Sequence, residues 1–82
     1  GVHTLSKKNG MDLNSARAMV GRSVNLHLKD GSVVINVQVV EAVPGSPSVL
    51  CYKAPTTARK RQVMLRDVDW MEPLNTHLFT LA

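Results

Sequence analysis

Residues 23–40 read SVNLHLKDGSVVINVQVV, and most of the predicted architecture follows from this stretch. Its first part places Val24, Leu26 and Leu28 at every second position, which is the pattern of a strand with one buried face. Asp30-Gly31 then interrupts the alternation. This dipeptide between alternating runs favours a two-residue type I′ turn, which requires positive φ at both positions. The stretch therefore predicts an antiparallel hairpin.

The strand that follows the turn is long for a small protein. It extends from Ser32 to about Ala42, and Pro44-Gly45 comes soon after it. Four apolar side chains share one of its faces: Val33, Ile35, Val37 and Val39. A strand of roughly ten residues in so small a domain must bend sharply and contribute to both halves of a barrel.

The sequence on either side of this hairpin supplies a helix and three more strands. Apolar residues recur at helical spacing within residues 11–20, where Asp12 or Asn14 is placed to cap the start and Gly21 to end the helix. Strands are predicted at residues 48–53, 62–66 and 68–71, with a polar loop at residues 55–61. The predicted fold is mostly β, a short N-terminal helix followed by a strongly bent, five-stranded antiparallel SH3-like barrel.

Length and composition predict one small domain. The chain has 82 residues, of which 44% are hydrophobic. We expect a flexible arm at residues 1–10, the barrel at residues 11–73 and a tail at residues 74–82. The single cysteine, Cys51, excludes an intramolecular disulfide and a cysteine-based zinc site within one chain. Stability must therefore come from packing or from oligomerisation.

Motif and segment searches predict a non-catalytic cytoplasmic protein. No apolar stretch approaches the roughly 20 residues that a bilayer requires, and no segment resembles a signal peptide. The sequence has no nucleophile elbow, no glycine-rich phosphate loop and no metal-ligand spacing among its three histidines. We therefore expect neither an enzyme, nor a cofactor or metal, nor a membrane partner.

The charge distribution favours an anionic partner. Ten Lys and Arg residues against six Asp and Glu residues give a net charge of +4. Arg59, Lys60 and Arg61 form one basic block, for which a solvated loop is the alternative to a nucleic-acid contact. A second group of basic residues, Lys7, Lys8, Arg17 and Arg22, lies in the N-terminal quarter of the chain.

Two stretches resemble the motifs of the Sm and Sm-like (LSm) proteins. Residues 20–31, VGRSVNLHLKDG, match the first Sm motif position by position, and residues 63–71, VMLRDVDWM, are similar to the second. The resemblance covers about residues 12–73. It implies a helix on a bent five-stranded sheet and homo-oligomeric rings of about five to seven copies. In such rings the fourth strand of one subunit pairs with the fifth strand of the next.

The resemblance also implies that the ring binds single-stranded RNA, often rich in uridine. Arg66 matches the arginine of the second motif and is a candidate base or phosphate contact; the alternative is a structural ion pair with Asp67 or Asp69 across subunits. Four residues are expected at the subunit interface: Val63, Leu65, Trp70 and Met71. In some six-membered rings of the family the face with the N-terminal helix also binds RNA or DNA, so the resemblance implies a second contact surface with the candidates Asn14, Arg17, Arg22 and Asn25.

The chain departs from the family pattern at three places. It lacks the glycine that follows the hairpin turn, residues 41–48 contain no Asn, and Asp67 replaces the glycine after Arg66. A carboxylate near a nucleotide path repels phosphate. The alternative function is therefore a protein-interaction or scaffold module that uses the same barrel without nucleic acid.

Overall fold

A computed structural model describes residues 11–74, so the predicted arm at 1–10 and residues 75–82 of the predicted tail lie outside the described residues. One α-helix precedes five strands and a 3₁₀ turn, in the predicted order. The elements are α1 (Leu13–Ala18), β1 (Ser23–Leu28), β2 (Val33–Val43), β3 (Val49–Lys53), β4 (Lys60–Met64), a 3₁₀ helix (Leu65–Asp67) and β5 (Val68–Pro73).

The five strands form one antiparallel sheet in the order β4-β3-β2-β1-β5. The predicted mostly β fold with a short N-terminal helix is thus confirmed. The barrel is not closed within residues 11–74, because the 3₁₀ helix directs β5 to β1 instead of to β4. β4 and β5 are therefore the two edges of the sheet.

The β1–β2 hairpin is confirmed, but its turn is not the predicted type I′. Gly31 has φ of +95°, whereas Asp30 is not in the left-handed region. The Gly31 N–H donates to the Leu28 carbonyl at 3.0 Å, and the Leu28 N–H donates to the Ser32 carbonyl at 2.9 Å. This is a three-residue loop that ends in a left-handed glycine, a common alternative to the two-residue turn. The Asp30 carboxylate accepts from the Ser32 N–H and hydroxyl at 2.8 and 2.6 Å, which lowers the pKa of Asp30.

Two bulges change which side chains of β2 are buried. The pairing with β1 shifts between Val24 and Leu26, opposite Asn36, which has φ of +54°. The pairing with β3 shifts between Val39 and Glu41. An extra residue reverses the inside–outside alternation of a strand. The prediction of one apolar face from Val33 to Val39 is therefore wrong for Val33 and Ile35, which are exposed.

The core lies between the inner face of the sheet and α1. Ala16 is fully buried, but Asp12 at the start of α1 makes no side-chain cap bond. Gly21, with φ of +89°, ends the helical turns, and its N–H donates to the Val39 carbonyl at 2.8 Å. The clustered buried side chains are Ala16, Val24, Leu26, Val37, Val39, Ala42, Leu50, Leu65, Val68 and Met71.

The fourth strand begins and ends earlier than predicted. Lys60 pairs with Lys53, so β4 takes in residues that the sequence places in a polar loop. Charged side chains suit an exposed edge strand, and polarity alone therefore did not mark a loop here. Arg66 consequently lies in the 3₁₀ helix and not in a strand. Cys51 on β3 is buried, with the Gln62 amide of β4 placed 3.8 Å from its sulfur.

None of the helical segments within residues 11–74 has the length and apolar character needed to traverse a bilayer.

Candidate nucleic-acid interface

Basic side chains gather at one end of the sheet because of the β3–β4 register. Lys53 at the end of β3 pairs with Lys60 at the start of β4, and Tyr52 pairs with Arg61. The loop between them is held locally, since the Arg59 N–H donates to the Thr57 hydroxyl at 3.1 Å. We call Lys53, Arg59, Lys60 and Arg61 the basic hairpin end.

The basic hairpin end carries charge that the described part of the chain does not neutralise. Arg59, Lys60 and Arg61 are exposed, and none of them has a carboxylate partner among residues 11–74. Like charges on directly opposite strand positions repel one another, as at the Lys53–Lys60 pair. An anion bound there would relieve that repulsion. Tyr52, which pairs with Arg61, is half-buried because its side chain packs against the core.

The sheet brings Arg22 to the same end of the molecule. The Val39 N–H donates to the Arg22 carbonyl at 3.0 Å, Val39 pairs with Tyr52, and Tyr52 pairs with Arg61. Three strand spacings of about 4.8 Å place the Arg22 and Arg61 backbones roughly 14 Å apart. Arg17 is exposed in the last turn of α1, close in sequence to Arg22. A basic strip therefore extends from the end of α1 to β4.

Arg66 lies at the opposite end of the sheet from the basic hairpin end. It is exposed in the 3₁₀ helix between the end of β4 and the start of β5. The Asp67 carbonyl there accepts from the Lys29 N–H at 2.9 Å, which places the 3₁₀ helix beside the β1–β2 turn. The structure thus separates Arg66 from the other predicted nucleic-acid contacts, and the acidic residue Asp67 follows Arg66 directly in the chain.

The predicted interface residues divide into surface and core. Trp70 on β5 is 47% exposed, and Val63 on β4 is half-buried. Leu65 and Met71 belong to the core, with exposures of 4% and 5%. The side chains of Leu65 and Met71 therefore pack within their own chain. These two positions offer a neighbouring chain only backbone N–H and C=O groups.

A polar network on the outer face of the sheet was not predicted from the sequence. The His27 and Trp70 rings stack with centroids 4.2 Å apart and an angle of 15° between their planes. His27 Nε2 lies 3.0 Å from Glu72 Oε1, and Asn25 Nδ2 donates to the same oxygen at 3.1 Å. Hydrogen bonds to His27 and then Asn25 hold the pKa of Glu72 below its usual value. The alternation in β1 puts Asn25 and His27 on one face, but only the β1–β5 register reveals their partners.

Asn25 also connects this network to the first bulge of β2. Its Oδ1 accepts from the Asn36 N–H at 2.8 Å, so the backbone group freed by the bulge has a partner. The five residues form one connected surface, which we call the outer-face network: Asn25, His27, Asn36, Trp70 and Glu72. No cluster of three metal-ligating side chains occurs within residues 11–74.

Comparison of the chain with protein-family models, with curated proteins and with solved structures gives no match.

Proposed function

We propose that this chain is a non-catalytic Sm-like protein that assembles head to tail into a homo-oligomeric ring and binds single-stranded RNA in the cytoplasm. One observation carries the proposal. The strand order leaves β4 and β5 as the edges of the sheet, and these are the strands that the Sm resemblance pairs between subunits. An edge strand offers unpaired N–H and C=O groups to another chain. A heterologous contact of this kind closes into a ring when its rotation allows.

The local geometry supports the finer Sm-like fold. β2 is long and carries two bulges, so it contributes to both halves of the curved sheet. The family pattern has a glycine after the hairpin turn, and Asn36 adopts the left-handed conformation there, with φ of +54°. Asparagine is the residue that most often replaces glycine in this conformation. The missing glycine therefore does not argue against the fold.

The basic strip supports the RNA ligand. Its exposed guanidinium and ammonium groups lack carboxylate partners in the described residues and are repeated in every copy of a ring. Single-stranded nucleic acid binds such basic tracks mainly through its phosphates. The proposed contacts are Arg17, Arg22, Arg59, Lys60 and Arg61, with Arg66 kept for a separate contact at the other end of the sheet. Binding should weaken steeply with salt, because each phosphate contact releases counterions.

Light scattering with and without a short oligouridine tests the proposal. We expect a mass of about five to seven copies that rises when the oligouridine is added at low salt. The triple variant R59A/K60A/R61A should lose at least tenfold in RNA affinity when it is compared at a protein concentration that gives it the same assembled mass as the unmodified chain. The variant R59K/R61K is the control, since it preserves the charge and should bind nearly as well. A monomeric mass would contradict the proposed ring assembly. An assembly that does not bind the oligouridine at low salt would contradict the proposed RNA binding.

The second candidate, a protein-interaction module, is favoured by exposed apolar side chains on the outer face of β2. Val33 is 44% exposed and Ile35 is 70% exposed. Both lie at the start of β2, beside the β1–β2 turn and away from the basic hairpin end. A ring that takes up no RNA, while I35K lowers its retention of a protein partner, would identify this function.

A further inference from the structure

The edge of β5 presents one face of the Trp70 indole. His27 on β1 covers the other face, and the indole remains 47% exposed. β1 and β5 are paired through His27 and Trp70, so the uncovered face of the ring points to the free side of β5. At the start of this strand the Val68 carbonyl already accepts from the Met11 N–H at 3.1 Å. Among residues 11–74, the part of this edge without a backbone partner therefore includes Trp70 and the residues after it.

The edge of β4 presents an apolar groove at the end of the strand that carries Met64. The groove has a volume of about 470 Å³ and is lined by Pro47, Val49, Gln62, Val63, Met64 and Asp67. Met64 is 40% exposed, and it pairs with Val49 on β3. An exposed thioether beside an open groove is well suited to cover an aromatic ring, since sulfur–aromatic contacts are favourable.

We propose that Trp70 of one copy packs against Met64 and the groove of the next copy, and that this contact sets the register of assembly. The inference rests on the proposed pairing of β4 with β5. With Trp70 opposite Met64, the outer face carries a continuous row of His27, Trp70 and the next copy's Met64 and Val49. On the inner face, Met71 then lies beside the neighbour's Val63.

The charges of the two edges favour this head-to-tail contact. β4 begins with Lys60 and Arg61, whereas β5 and the residue before it carry Asp67, Asp69 and Glu72. A basic edge attracts an acidic edge, so these charges favour contact between β4 and β5 over contact between two β4 edges or between two β5 edges. The second copy is thus the partner that both the apolar and the charged features fit.

A shift of two residues would place Trp70 opposite Gln62 and Glu72 opposite Lys60. In that register an ion pair between Glu72 and Lys60 replaces the apolar contact between Trp70 and Met64. Glu72 already shares its Oε1 with His27 and Asn25, so it has less to gain from a lysine. Exposed ion pairs also contribute little stability. The Trp70–Met64 register is therefore favoured.

Disulfide trapping distinguishes the two registers. Cα atoms directly opposite each other on antiparallel strands lie about 4.5–5.5 Å apart, within the range that a disulfide spans, whereas diagonal neighbours lie about 7–8 Å apart. In a C51A background that keeps Trp70 and Met64, E72C/Q62C should give a ladder of covalent oligomers under mild oxidation, because these two positions are directly opposite in the Trp70–Met64 register. E72C/K60C is the matched control, since its positions are opposite only in the shifted register, and it should form at least tenfold less. E72C alone should remain uncross-linked.

Several results would overturn the inference. Faster cross-linking of E72C/K60C would show the shifted register, and dimers of E72C alone would show contact between two β5 edges. An assembled mass without cross-links would remove the Trp70 contact and leave the proposed assembly standing. A monomeric mass would remove both.

Tryptophan fluorescence of the unmodified chain tests the same contact without depending on whether the variants fold. Trp70 is the one tryptophan of the sequence. Its emission should shift to the red when dilution lowers the mass measured by light scattering, because the indole loses its cover. Dissociation without any change in the emission would contradict the proposed packing.

Discussion

Glu72 is the residue on which the outer-face network depends. One carboxylate oxygen binds both His27 and Asn25, and Asn25 in turn binds the bulge of β2. Removing the carboxylate therefore affects three strands at once. The hydrogen bonds to Glu72 are only half-buried, so we expect them to orient Trp70 and Asn36 more than to add stability.

Glu72→Gln should reduce stability by more at about pH 6 than at about pH 3. The folded state lowers the pKa of Glu72, first through the hydrogen bond to His27 and then through that to Asn25. A lowered pKa stabilises the protein above the unfolded value of about 4.3, and this contribution is lost as the pH falls through the folded pKa. Urea unfolding of both proteins at the two pH values measures the difference. Equal losses at both pH values would contradict the assignment.

At the scale of elements, the bulge in β2 depends on the left-handed conformation of Asn36. Asn36→Val should destabilise the protein by about 1–2 kcal/mol, because a β-branched side chain is strained at positive φ. Asn36→Gly should be close to neutral, since glycine adopts this conformation without strain and keeps the N–H that donates to Asn25. Urea unfolding gives both values. If Asn36→Val leaves the free energy of unfolding unchanged, then β2 can pair with β1 without the bulge, which would contradict this prediction.

Local patterns in the sequence predicted the elements, whereas long-range contacts decided the site. The alternation around Asp30-Gly31 was enough for the β1–β2 hairpin. The bulge at Asn36 was not predictable, because the side chain that stabilises it, Asn25, lies eleven residues away on another strand. The basic block was identified from composition alone, but its place at the end of an edge strand depends on the pairing of Lys60 with Lys53. The stacking of His27 on Trp70 depends likewise on a register between distant segments.

At the scale of the whole molecule, assembly and stability should be linked. A partner that binds only the folded chain raises its apparent stability by mass action. We therefore expect the unfolding midpoint to rise with protein concentration. Met64→Glu should abolish that rise, because a carboxylate is repelled by the indole face and by the acidic β5 edge of the neighbour. Ile35→Glu changes an exposed apolar residue away from both edges and should preserve it. Differential scanning calorimetry over a hundredfold concentration range makes the comparison, and a concentration-independent midpoint for the unmodified chain would contradict the link.

The burial of Cys51 beneath an edge strand makes its thiol a reporter of local opening. It is the one cysteine of the chain, it is 7% exposed, and the Gln62 amide of β4 lies against its sulfur. An alkylating reagent gains access to the thiol when the Gln62 side chain and β4 move away from β3, so the labelling rate reports that local fluctuation. An edge strand held on one side opens more readily than a strand held on both. The difference in labelling rate between dilute and concentrated protein would therefore measure how strongly a neighbouring β5 holds β4 in place.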